Sequence, residues 1–156
     1  MKRNSILFLL TSLLLLTACG EQPHYQKVYS FEDRKWNLDV KPEFTVDIQD
    51  IEKEYDFELL LRTTTDYPYS NLWIFMKTTT PNGEVAREPF EIRVANEDGS
   101  WIGNKTGTIV ETPINFKRRK LPEKGNYTFI IEQAITEDEV SEVLDLQFTV
   151  SAAEEK

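Results

Sequence analysis

Few residues in this chain are equipped for covalent chemistry, and the best placed is Cys19, its single cysteine. It stands directly behind Leu16-Thr17-Ala18, so the run reads Leu, small, small, Cys. That spacing fits a bacterial lipobox, in which the thiol is the nucleophile that takes a diacylglyceryl group and the small residues before it fit the cleft of a signal peptidase. An export signal leads up to it, with Lys2 and Arg3 as its cationic start and an apolar run from Ile6 to Leu16. The run is shorter than the roughly 20 apolar residues of a membrane-spanning helix, which predicts cleavage and not retention. Residues 1–18 therefore read as a lipoprotein signal peptide and Cys19 as the lipid-bearing first residue of the mature chain. One acyl chain holds a protein only marginally, whereas two or three anchor it stably.

Other chemistry has little to work with. The only histidine, His24, lies in the polar stretch just after Cys19, so Ser-His-Asp and Cys-His arrangements lack their base. A lone cysteine also excludes internal disulfides and thiolate zinc sites. The 27 Asp and Glu leave room for a carboxylate pair of the kind that cleaves glycosides. The acids nearest to aromatics are Asp66, beside Tyr67 and Tyr69, and Asp98, beside Trp101, and acids at such positions mostly form turns. Asn96-Glu97-Asp98-Gly99 resembles the start of a calcium loop, yet the twelfth position counted from Asn96 is Gly107, where an EF-hand needs a glutamate. No catalytic residue, metal or cofactor is expected. Tyr67, Tyr69 and Trp101, in loop-like surroundings, are the candidate partner-binding residues, while Trp73 sits in a strand pattern and reads as core.

Loss of Lys2 and Arg3 with the signal leaves 16 Lys and Arg against 27 Asp and Glu, a formal charge of −11 on the mature chain. That sign argues against nucleic acid, whose phosphates call for clustered cations. The one basic run, Lys117-Arg118-Arg119-Lys120, lies between Pro113 and Pro122 and reads as solvated loop or edge-strand charge.

The elements that would position these residues are strands. Phe44, Val46 and Ile48 alternate with polar residues, as do Tyr55, Phe57, Leu59 and Leu61. Residues 71–80 are apolar on both faces, which predicts a central strand, and Pro81-Asn82-Gly83 should turn the chain back through residues 87–95. Further strands are expected near 108–111, from Tyr127 to Ile131 and from Leu144 to Val150, with a turn of helix in the acidic segment 136–142. The predicted fold is an all-β antiparallel sandwich of about eight strands behind a cleaved signal peptide. Its boundaries are a lipidated tether over 19–27, one domain over 28–150 and a frayed tail over 151–156.

The lipobox, Tyr67-Pro68-Tyr69-Ser70-Asn71-Leu72-Trp73-Ile74-Phe75, Pro81-Asn82-Gly83, Gly99-Ser100-Trp101-Ile102-Gly103 and Gly125-Asn126-Tyr127-Thr128-Phe129 before Glu132-Gln133-Ala134 follow one another in an order that resembles the GldH gliding-motility lipoproteins of Bacteroidetes. The likeness runs over nearly the whole mature chain and rests on order and spacing, since each motif alone is a turn or a strand pattern. It implies an accessory or scaffold lipoprotein of the outer membrane, held by the lipid on Cys19 and working with other envelope and gliding-machinery proteins. It carries no catalytic residues. A second class stays open at this point, a lipid-anchored glycan-binding or glycan-cleaving domain. The two differ in whether Tyr67, Tyr69 and Trp101 gather on one exposed face beside carboxylates.

Overall fold

A computed structural model describes residues 22–153. The expected signal peptide and Cys19 lie outside the described residues. Among those described, eleven strands form: β1 (Tyr25–Ser30), β2 (Lys35–Asn37), β3 (Glu43–Ile48), β4 (Glu54–Thr64), β5 (Asn71–Thr79), β6 (Val85–Arg93), β7 (Asn104–Thr106), β8 (Ile109–Lys120), β9 (Gly125–Gln133), β10 (Glu139–Ser141) and β11 (Val143–Ala152). Eight of them run six residues or more, and three are three-residue pieces.

Every pairing is antiparallel. One sheet has the order β1-β11-β4-β8-β7, a second β3-β9-β5-β6, and β2 pairs with β10 alone. The period-two pattern decides which side chains meet between the two large sheets. Phe44, Val46 and Ile48 on β3 and Tyr55, Phe57, Leu59 and Leu61 on β4 are all buried. Phe148 of β11 stacks on Phe44 at 5.3 Å and meets Phe129 of β9 at 4.9 Å, so the sheets pack face to face around one aromatic core. Each such ring removed from water contributes about 1.5–3 kcal/mol.

The molecule has two ends. β1 starts at the end shared by the last residues of β3 and β8 and by the β5–β6 turn. There the His24 ring Nε2 donates to the Asp47 carbonyl at 2.7 Å. This is the end from which the expected tether would lead, hence the tether end. At the far end, Thr64 N–H donates to the Glu142 carbonyl at 3.0 Å and Val94 N–H to Ser70 at 2.8 Å, which ties the opposite loops together.

Several sequence expectations change in detail. β1 begins at Tyr25, so Tyr25-Gln26-Lys27 of the expected tether lie in a sheet edge, paired with Val150, Thr149 and Phe148. Likewise Ser151 and Ala152 of the expected tail belong to β11. Segment 136–142 forms β10 in place of a helical turn, because Val140 is buried opposite Trp36. Among the described residues the one helical piece is a 3-10 turn at Glu32–Arg34. The Asn82-Gly83 turn forms as the sequence indicates, with Gly83 at φ +88°.

Among the described residues, two edges on one side of the molecule, β6 and most of β8, lack a strand neighbour, since β7 pairs only with Ile109–Glu111. Thr80 N–H donates to Glu84 O at 2.9 Å and Thr65 N–H to Thr108 O at 2.9 Å. Counting on from these bonds through the registers, Pro89 of β6 and Pro113 of β8 both face their open edges. Each edge therefore lacks an N–H where an incoming strand would need one.

Candidate functional site

The far end carries the three aromatics that the sequence marks out. The β4–β5 loop, Thr65–Ser70, holds two of them. A short ribbon over residues 94–102 holds the third, through the Ala95–Trp101 bridge and the Ile102 N–H to Val94 O bond at 2.9 Å. Gly99, at φ +82°, closes the ribbon's turn, and Asp98 accepts from Ser100 N–H at 2.9 Å and Ser100 Oγ at 2.6 Å. Those bonds from Ser100 hold the Asp98 carboxyl below its usual range. Asp98 is thus a turn former.

Tyr67, Tyr69 and Trp101 line one shallow depression of about 360 Å³, together with Ser70, Asn96 and Glu97. They are not equivalent. Tyr67 is only 5% exposed, and its hydroxyl donates to the Asn71 carbonyl at 3.0 Å. Burial pushes its phenol well above the ordinary value. The expectation of an exposed binding ring therefore fails for Tyr67, whose body completes the core. Tyr69 packs edge-on against it at 5.7 Å, is half-buried, and donates its hydroxyl to Glu137 Oε2 at 2.7 Å. That hydrogen bond raises the Tyr69 phenol, with burial and the nearby negative charge acting in the same direction. Trp101 is also half-buried against the core.

Asp66 and Asp98, adjacent to the aromatics in sequence, do not line the depression. The carboxylates that reach it are Glu97 on its wall and Glu137 through Tyr69. Glu137 lies 68 residues from Tyr69, so sequence proximity could not pair them. Among the described residues no cluster of His, Cys, Asp or Glu could hold a metal ion.

Two more residues depart from their sequence reading. Trp73 is 44% exposed on the outer face of the β3-β9-β5-β6 sheet, although a strand tryptophan was expected in the core. β5 is central, but only its Leu72, Ile74 and Met76 face is buried. The basic run ends β8 as edge-strand charge, where Arg118 lies 4.0 Å from Glu54 and Lys120 3.3 Å from Glu52.

Residues 23–150 match the family described as GldH lipoprotein. The chain is 30% identical over 135 residues to the gliding motility lipoprotein GldH of Flavobacterium johnsoniae, covering 86% of this chain and 83% of that one. A GldH homolog of Christiangramia forsetii is 28% identical over 132 residues, covering 84% and 80%. Among solved structures, the GH115 4-O-methyl-alpha-glucuronidase BtGH115A superposes with a TM-score of 0.47 at 10% identity, over 87% of this chain and 18% of that one. That likeness falls below the level at which a shared fold follows.

Proposed function

This chain belongs to the GldH lipoprotein family, and from that premise we propose that it works by holding partner proteins at the envelope and turns over no substrate of its own. In this reading residues 1–18 are removed, Cys19 takes the lipid, and a short tether leads into β1. The two packed sheets are a sandwich whose body is the eight longer strands. From Cys19 to Tyr25 an extended chain reaches only about 20 Å at ~3.3 Å per residue, so the tether end sits against the outer membrane and the far end points away from it.

The observation that supports the reading best is the placement of Tyr69 and Trp101 at the far end. Two half-buried rings around a shallow depression, with Glu97 and Glu137 beside them, make a small amphipathic patch of the kind that centres protein contacts. The glycan-binding alternative asks for flat, open ring faces on which a pyranose can stack. Burial of Tyr67 and the edge-on Tyr67–Tyr69 contact leave less of that surface.

The test is site-specific photo-crosslinking in native membranes, with the reactive group placed at Ser70 or Glu97 and, for comparison, at Lys53 near the tether end. Envelope proteins recovered from the first two positions alone support the reading. Equal recovery from Lys53, or hydrolysis of a glycan by the purified chain that depends on one carboxylate, overturns it.

A further inference from the structure

At the tether end the core is left incomplete. The inward row of β5 shrinks from Leu72, Ile74 and Met76 to Thr78, and Ala86 stands opposite on β6. Below the edge-to-face pair Phe90–Phe116, 5.0 Å apart, these small side chains leave a cavity between the β6 and β8 edges. Its inner wall is the aromatic core, Phe57, Phe129 and Phe148. Its volume of about 270 Å³ equals roughly nine waters at ~30 Å³ each, and a methylene is similar in size, which gives room for a chain of about ten carbons.

The mouth carries one cation that is not engaged in an ion pair, Arg119. Phe57 pairs with Phe116 but Tyr55 pairs with Arg119, so β8 carries a bulge of one extra residue there. The bulge turns Arg119 to the inner side of the sheet, onto the cavity rim. Among the described residues Arg119 enters no ion pair. Lys120 is a second cation on the rim, already held by Glu52, and Glu88 is the one carboxylate.

We propose that this cavity binds a single acyl chain with its carboxylate at Arg119, a fatty-acid site separate from the lipid on Cys19. An apolar pocket of this volume suits methylenes, and the unpaired guanidinium suits the head group. A strand from a second copy fits less well, because Pro89 and Pro113 interrupt the ladders on both flanking edges, whereas an acyl chain needs no backbone hydrogen bonds. The anchoring reading adds only that lipid is close at hand. Binding does not depend on the far-end patch, so failure of one leaves the other standing.

The experiment uses the full chain purified from membranes and reconstituted in vesicles of neutral phosphatidylcholine, with decanoate carrying a photoactivatable diazirine at its tail. Saturable labelling is expected at cavity residues such as Met76 and Phe116. Unlabelled acids should displace the probe about fourfold better per added methylene up to some ten carbons, then level off. Decyltrimethylammonium should compete at least tenfold worse than decanoate. Arg119→Gln should erase that preference while leaving displacement by decanol unchanged, and Ala86→Trp should block labelling at an unchanged melting temperature. If Ala86→Trp does not fold, the Arg119→Gln and chain-length results decide. Labelling spread over the surface, equal competition by the cationic detergent, or probe-insensitive dimers cross-linked through β6 would each overturn the proposal.

Discussion

Tyr67 and Tyr69 lie two residues apart, yet their truncation should have opposite consequences. Tyr67→Ala removes a buried ring and should cost about 3–5 kcal/mol of stability in urea unfolding. Tyr69→Phe, which loses only an exposed hydrogen bond to Glu137, should leave stability close to the parent's, Trp101→Ala should cost less than Tyr67→Ala because its ring is only half-buried, and both should lower partner recovery. A drop of several kcal/mol for both would make the patch mere core. Titration offers a second handle. Burial works to raise the Glu132 carboxyl, but Arg87 and Lys41, at 2.8 and 3.1 Å, outweigh it and hold it below its ordinary value of 4.5. Its contribution is therefore complete above about 4.5 and lost as pH falls through the lower folded-state value. Glu132→Gln should flatten that acid limb by about 0.5–1 kcal/mol, and an unchanged limb would show the pairs to be idle. At this scale the sequence picked out rings that do lie together in one depression, but not which of them are open. Exposure of Trp73 and burial of Tyr67 depend on the face each takes, which a local pattern in a loop or a two-faced strand does not specify.

Among the elements, the loop that leads into β7 depends on Gly103. A Cβ there would run into the Glu111 backbone carbonyl of β8 and crowd Thr112 Oγ1 at 2.8 Å. Gly103→Ala should destabilise the chain by about 1–3 kcal/mol, measured by urea unfolding, whereas Gly83→Ala meets open space and is penalised only by its φ. The open edges give a sharper expectation. Restoring N–H groups with Pro89→Thr and Pro113→Thr together should drive self-association in sedimentation at concentrations where the parent stays monodisperse. An unchanged sedimentation profile would mean that the prolines do not guard these edges. The alternating strands and the Asn82-Gly83 turn were legible because period two and positive φ are local signals. The three-residue strands were not, because β2 and β10 are held by each other from opposite ends of the domain, and β7, though joined to β8 by the short Gly107-Thr108 turn, is too brief to show a period-two pattern. The β8 bulge that aims Arg119 is likewise a matter of register between strands, invisible in either one alone.

For the molecule as a whole, Cys19 is the expected point of attachment, and Cys19→Ser should leave the precursor unlipidated and largely uncleaved after Ala18. An acylated N-terminus on that variant in mass spectrometry would refute the anchor. The proposed orientation rests on β1, and it bears on mechanics. Its six residues pair with β11 along their full length, with the N-terminal end at the tether and the C-terminal end toward the far loops. A pull between membrane and far-end partner would run along the strand axis. All six pairings would then resist sliding together, in shear, and none would peel open ahead of the others. The connection between anchor and domain is in this geometry the direction in which the sheet is hardest to tear.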